Sequence, residues 1–203
     1  MKVVYLMRFW PVYGGGETVT RILVNELASR SNDVTIIYLW DRNNQTTPYL
    51  NENIKTVKLN GITNLNDGDI GTRDKSNIRK QLTTIFEKEN FDIIVNQWLP
   101  SREVYKAAQN TGSKVIKCHH GVVKVCSDCK YFKNKKFFYG IFGEKGGWLR
   151  VYWQRKQDYD NCDKWVFLSN SFVEDAKNYL VKLMRRSFVL LEIRYIMKSQ
   201  VKQ

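Results

Sequence analysis

Residues 2–29 read KVVYLMRFWPVYGGGETVTRILVNELAS, and this stretch decides the fold. Residues 2–6 form a short, almost continuously apolar run, which is typical of a strand buried on both faces. Gly14, Gly15 and Gly16 form a turn, and apolar residues then recur at helical spacing over residues 17–29. A buried strand, a glycine turn and an amphipathic helix predict the first unit of a doubly wound domain.

The same alternation of strand and helix continues along the chain to about residue 180. We predict further strands at residues 33–40, 54–59, 91–95, 113–118 and 164–168, and further helices at residues 73–89, 100–110 and 171–180. The fold class is therefore α/β, a Rossmann-like parallel sheet covered by helices on both faces. Ligands are expected at the carboxyl ends of its strands.

The composition favours a globular protein. Of its 203 residues, 43% are hydrophobic and 26% are charged, which is ordinary for a domain with a sizeable core. No run of about 18 apolar residues exists to span a membrane. The apolar start of the chain is too short for a signal peptide, so we expect a cytoplasmic protein.

The cysteines raise the question of a metal site. Cys126 and Cys129 have zinc-ligand spacing, with Cys118, His119 and His120 upstream. The second ligand pair would be adjacent residues or Cys118 with a histidine, which is poor spacing for a structural zinc. We expect reduced thiols in a surface loop, no metal and no cofactor.

The glycine turn admits two interpretations. Three glycines allow a close backbone approach to a ligand, and the helix that starts near Glu17 offers free N–H groups to an anion. The alternative is a plain flexible turn. The turn matches neither the dinucleotide fingerprint nor the Walker motif, because the further glycine or lysine that each needs does not follow.

Other polar residues follow the predicted strands at the same edge of the sheet. Asn96, His119, His120 and Ser169 are such residues, and the two histidines are the only ones in the protein. A histidine there can hydrogen-bond a hydroxyl or carry a proton near neutral pH. The alternative is a rim histidine with an ordinary hydrogen-bond partner.

Residues 130–156, KYFKNKKFFYGIFGEKGGWLRVYWQRK, interleave basic and aromatic side chains and are termed the basic–aromatic segment. Such a segment suits an anionic membrane surface, single-stranded nucleic acid, or a partly buried helical excursion with solvated lysines. Net charge alone prompts the nucleic-acid interpretation, so we expect no nucleic-acid partner. The predicted membrane contacts are Lys135, Lys136, Phe137, Phe138, Trp148 and Trp153.

Taken in order, four stretches resemble the N-terminal half of a retaining glycosyltransferase of family 4, which has the GT-B fold. They are GGGETVTRILVNELASRSNDVTIIYL at 14–39, FDIIVNQW at 91–98, SKVIKCHHG at 113–121 and CDKWVFLSNSFVEDAKNYL at 162–180. The resemblance covers about residues 1–180. It implies an acceptor-binding domain of an enzyme that transfers a sugar from a nucleotide sugar.

The resemblance also implies roles for particular residues. His120 would be the catalytic residue that contacts the transferred sugar, and the glycine turn with Glu17 would lie against the donor diphosphate and the acceptor. The predicted substrate-binding residues are Gly14, Gly15, Gly16, Glu17, Asn96, His119 and Ser169. The acceptor would be a cell-envelope saccharide, often lipid-linked, which places the protein at the inner face of the cytoplasmic membrane. The alternative is a non-catalytic α/β domain that binds a membrane surface or such a saccharide.

The chain departs from the family after the first domain. We expect residues 1–180 to form the acceptor domain, and residues 181–203 to form an atypical tail with six Lys or Arg against one Glu. The family's second domain, which holds the nucleotide sugar, has no counterpart here, so we expect little activity from this chain alone. A shifted reading frame is one explanation of the tail, because codons for residues 192–203 exist whose alternative frame encodes the family's Asn-Pro turn. The other explanation is a genuine short protein.

Overall fold

The computed structural model describes residues 1–11, 14–41, 49–63, 70, 72–119 and 161–167. Within these ranges the structure gives the bounds of six strands and three helices. Their bounds are β1 Lys2–Phe9, α1 Gly15–Ser29, β2 Asp33–Trp40, β3 Lys55–Lys58, α2 Thr72–Glu89, β4 Ile93–Asn96, α3 Ser101–Ala108, β5 Lys114–His119 and β6 Lys164–Phe167. The predicted helix at residues 171–180 lies outside the described residues.

The six strands form one sheet in the order β3-β2-β1-β4-β5-β6, and every neighbouring pair is parallel. The central strand β1 pairs with β2 through Val3 and Val34, and with β4 through Val3 and Ile93. Its interior residues are buried because helices cover both faces of the sheet. The predicted doubly wound α/β fold is confirmed.

Each face of the sheet carries its own core cluster. On the α1 side, Thr20, Val24 and Ala28 are four residues apart, so they fall on one face of the helix and are buried. On the opposite side, Ile78, Leu82 and Phe86 of α2 have the same spacing and are fully buried. None of the helices in the described ranges is long and apolar enough to cross a bilayer.

The first unit differs in its bounds from the prediction. β1 runs to Phe9 rather than residue 6, because β2 is equally long and Phe9 pairs with Trp40. α1 begins at Gly15 rather than residue 17, so two of the three glycines lie inside its first turn. The backbone hydrogen bond from Thr18 N to Gly14 O, 2.9 Å long, closes that turn.

Candidate functional site

The candidate site lies where the winding of the sheet reverses. The chain leaves β1 for β2 and β3 on one side and returns to β4 on the other side of β1. In doubly wound sheets, ligands bind at this reversal, in the crevice beyond the carboxyl ends of the two strands. Backbone pairing continues one residue past β4, where Gln97 N donates to Leu6 O over 3.2 Å. The residues after β1 and β4 therefore border the crevice.

The N-terminus of α1 forms one side of this crevice. Gly14 is the N-cap residue in extended conformation, with φ −144° and ψ 164°, and no side chain caps the helix there. The N–H groups of a helix's first turn have no partner inside the helix, and they form the positive end of its dipole. Such a turn can receive an anion, which the predicted roles of Gly14, Gly15 and Gly16 require.

The carboxylate of Glu17 already lies beside this turn. A Cβ atom placed on Gly14 would fall 2.4 Å from Glu17 Oε2, so the glycine makes room for the carboxylate. A carboxylate near the start of a helix is stabilised by the helix dipole. This placement favours a role for Glu17 in lining the crevice and holding the turn.

A buried hydroxyl joins the first turn of α1 to β1. Thr20 is fully buried, and its Oγ1 donates to Gly16 O over 2.8 Å. The same hydroxyl lies 3.7 Å from Met7 Sδ, on the strand below. The position of the glycine turn over the end of β1 is therefore fixed by a contact inside the core.

Asn96, the last residue of β4, holds the loop that follows. Its side chain is fully buried, its Oδ1 accepts from Leu99 N at 3.1 Å, and its Nδ2 donates to Leu99 O at 3.3 Å. These two bonds close a tight turn around the intervening residues. The role of Asn96 in substrate binding stays a prediction, and its described contacts position the turn.

Three rim residues were absent from the sequence-based site. Gln97 is 3% exposed and Lys117 is 8% exposed, whereas Trp98 between two buried neighbours is 43% exposed. Lys117 Nζ donates to Gln97 O over 3.4 Å, which brings a cation to the end of β4. The sequence contained a sign of Gln97, because two polar residues, Asn96 and Gln97, directly follow the predicted strand at 91–95. Only Asn96 was included in the predicted site.

The remaining predicted site residues lie at or beyond the edge of the described part. His119 ends β5 and pairs in register with Phe167 of β6, but its side chain is outside the described part. His120, Ser169 and the six predicted membrane contacts also lie outside the described residues. Their roles stay predictions.

Cys118 on β5 is a free thiol. Burial raises its pKa to about 11, against a smaller opposing effect of the Lys117 charge. The thiol is therefore protonated near neutral pH, which makes it a poor nucleophile and a poor metal ligand. Within the described ranges, no three His, Cys, Asp or Glu residues are grouped so as to hold a metal ion.

The fold is similar to that of several proteins of known structure. Sucrose-phosphate synthase from Thermosynechococcus elongatus superposes with a TM-score of 0.59 at 12% identity, over 88% of this chain and 45% of that one. A UDP-GlcNAc 2-epimerase from Methanocaldococcus jannaschii gives a TM-score of 0.51 at 12% identity, over 90% and 42%. The chain thus spans less than half the length of either protein, and at this identity the likeness concerns the fold alone.

Comparison with protein families is more specific. Among curated proteins, none matches this chain significantly. The sequence pattern of Glycosyltransferase Family 4, however, matches residues 13–185, which include the glycine turn, α1 and every strand of the sheet except β1. The chain therefore belongs to glycosyltransferase family 4, and its sheet is the Rossmann-like N-terminal half of a GT-B architecture.

Proposed function

We infer that this chain provides the acceptor-binding half of a retaining glycosyltransferase. The proposed reaction transfers a sugar from a nucleotide sugar to a hydroxyl of a cell-envelope saccharide. The observation that carries this proposal is the crevice at the reversal point, whose α1 and β4 sides lie within the family match at residues 13–185. The nucleotide sugar would be held mainly by a second Rossmann-like unit across the cleft.

The described crevice has groups suited to such a reaction. The first turn of α1 offers N–H groups to an oxyanion, and Lys117 adds a positive charge at the end of β4. Positioning of the two substrates and electrostatic stabilisation of the leaving diphosphate are the contributions we propose. In this proposal His120 contacts the transferred sugar and Glu17 lines the acceptor side.

A transfer assay tests the proposal. The 203-residue chain alone, incubated with UDP- and GDP-sugars and bacterial membrane extract, is expected to give no transfer above background. The same chain fused to the donor-binding half of a family 4 glycosyltransferase is expected to transfer sugar, and His120→Ala in the fusion is expected to abolish it. Ordinary turnover by the chain alone, or a fusion that stays inactive with every donor, would contradict the proposal.

A second candidate function is binding to a membrane surface without catalysis. The basic–aromatic segment favours it, because eight Lys or Arg occur between residues 130 and 156 against one acidic residue. Aromatic rings suit the headgroup level of a bilayer and cations suit its phosphates. Association with the inner face of the cytoplasmic membrane would also bring a lipid-linked acceptor to the crevice.

Vesicle sedimentation tests this candidate. We expect the chain to bind phosphatidylglycerol vesicles, to bind phosphatidylcholine vesicles weakly, and to dissociate as salt is added. Replacing Trp148 and Trp153 by Ser should reduce binding. Trp98→Ser, which changes an exposed Trp outside the segment, should not. Equal binding to both lipids would rule out the segment as the membrane contact. An equal loss of binding in Trp148→Ser, Trp153→Ser and Trp98→Ser would rule it out as well.

A further inference from the structure

The side chain of Gln97 has an unsatisfied acceptor at the crevice. Gln97 is 3% exposed, and within the described part of the chain its Oε1 is buried with no hydrogen-bond partner. Burying an amide oxygen without a partner is unfavourable, because the oxygen loses its hydrogen bonds to water, and nearly all such groups in folded proteins are paired. The unsatisfied Gln97 oxygen therefore requires an explanation. One explanation is that a bound ligand donates the missing hydrogen bond.

The position of Gln97 in the sheet places this oxygen on a particular side. Val95, two residues earlier, packs in the core cluster under α1, whereas Ile94 packs in the cluster on the opposite face. Side chains alternate along an extended strand, and the bond from Gln97 N to Leu6 O continues the strand pairing. Gln97 therefore belongs to the face covered by α1, at the same end of the sheet as the glycine turn.

The next residue provides an aromatic surface beside this oxygen. Trp98 is 43% exposed, although Gln97 before it and Leu99 after it are buried. The two hydrogen bonds between Asn96 and Leu99 fix the turn that carries both residues. Ligand sites combine aromatic surface with a few well-placed polar groups, and rigid support improves them.

The chemistry of the unsatisfied atom selects the ligand class. A carbonyl oxygen accepts hydrogen bonds only, so its partner must have an O–H or N–H group. An ionised diphosphate has acceptors only and cannot satisfy it, whereas the N-terminus of α1 suits that anion. A sugar has hydroxyl donors for the carbonyl and an apolar C–H face for an indole ring.

We propose that Gln97 and Trp98 form a saccharide subsite, in which Gln97 Oε1 accepts a hydrogen bond from a sugar hydroxyl and the Trp98 indole stacks on the sugar ring. The proposal rests on the acceptor-binding function inferred above and assigns that binding to two residues. Asn96 acts as a positioning residue for both.

Saturation-transfer NMR on the 203-residue chain tests the subsite. The probes are the methyl glycosides of glucose, galactose, rhamnose and N-acetylglucosamine at millimolar concentration. At least one is expected to bind the wild type, and Gln97→Met and Trp98→Leu are expected to weaken that binding about tenfold or more. The matched controls, Gln109→Met at the end of α3 and Tyr49→Leu at an exposed site, are expected to leave it unchanged.

Thermal unfolding distinguishes a role of Gln97 in ligand binding from a role in stabilising the fold. Gln97→Met removes a buried oxygen without a partner, so we expect its melting temperature to equal or exceed that of the wild type while saccharide binding falls. A lowered melting temperature for Gln97→Met would mean that Gln97 supports the fold, and would overturn the proposal.

The remaining outcomes separate the two inferences. A glycoside that binds the wild type, Gln97→Met and Trp98→Leu equally would overturn the subsite and leave the acceptor-binding function intact. Binding of inorganic pyrophosphate that is lost in Gln97→Met would also overturn it, because the site would then be one for anions. Failure of every glycoside to bind the wild type would contradict both the subsite and the acceptor function.

Discussion

At the scale of single residues, Gly14 and Glu17 share one small volume at the start of α1. The backbone of Gly14 is extended and open to any residue, so the need for glycine comes from the carboxylate beside it. Gly15 differs, because a Cβ atom there would meet nothing within 4 Å. The space around the two adjacent glycines therefore restricts a side chain at Gly14 and not at Gly15.

This difference gives the first prediction. Gly14→Ala should lower the free energy of unfolding by about 1 kcal/mol, because Ala is a poor N-cap and its methyl group displaces the Glu17 carboxylate. Gly15→Ala should raise it by up to about 1 kcal/mol, because Ala is the better helix former. Urea unfolding measures both, and in a Glu17→Ala background the cost of Gly14→Ala should shrink. An unchanged cost in that background would contradict the steric account.

The Cys118 thiol gives a second prediction, on pH. Burial raises its pKa in the folded state from 9.0 to about 11, so the folded protein holds this proton after the unfolded chain has released it. The contribution to stability is therefore full below about pH 9 and is lost as the pH rises toward about 11. Urea midpoints of the wild type should fall more steeply over this range than those of Cys118→Ala. Parallel curves would show that the thiol does not titrate as described.

At the scale of elements, aspartates join the amino ends of neighbouring strands. Asp92 N donates to Lys2 O at 2.9 Å, and Asp92 Oδ2 accepts from Lys2 N at 2.7 Å. Asp163 repeats this arrangement with Val115, through two bonds of 2.8 Å, and it also accepts from Lys114 Nζ at 3.2 Å. Asp92 thus fixes the register between β1 and β4 where the pairing begins, and Asp163 does the same for β5 and β6.

The third prediction concerns β6, which is a four-residue strand. Asp163→Ala should cost about 1–3 kcal/mol, because it leaves the Val115 N–H without its acceptor, and amide exchange in β6 should accelerate. Lys114→Ala removes only an exposed ion pair and should cost less than about 1 kcal/mol. Equal effects of the two variants on exchange in β6 would mean that Asp163 acts only through its charge.

At the scale of the whole molecule, the positive charge is unevenly distributed along the sequence. The net charge is +13, and fifteen of the 33 Lys and Arg residues lie in residues 124–156 and 181–203. The described members of both core clusters lie between residues 3 and 115, with Cys118 and Cys162 packed against them. The positive charge of the chain is therefore concentrated in two stretches of its sequence.

The fourth prediction tests the boundary at residue 180. Removal of residues 181–203 should leave cooperative unfolding and the far-UV circular dichroism signal of the sheet and helices unchanged. A larger truncation, which ends the chain after residue 160, also removes β6 and its bonds to β5 and should lower the melting temperature. If the first truncation alone abolished cooperative unfolding, the tail would be part of the domain.

Much of the fold was predictable because it depends on local pattern. Apolar runs such as residues 33–40 indicate strands buried on both faces, and spacings such as Ile78, Leu82 and Phe86 indicate helices with one buried face. The ends were less predictable, as at β1, whose length depends on the partner strand. For the site, the sequence indicated the glycine turn and Asn96 but selected neither Gln97 nor Trp98.

The sequence by itself determined the α/β class, the order of strands and helices, and the family resemblance, because burial and backbone preference act over a few residues. Only the tertiary structure decided that β4 lies beside β1, which brings Gln97 to Leu6 across some ninety positions in the chain. It also decided that the Asn96 amide bonds Leu99 and that the Gln97 oxygen is buried. These facts depend on packing between distant segments, and local sequence does not encode the distance between them.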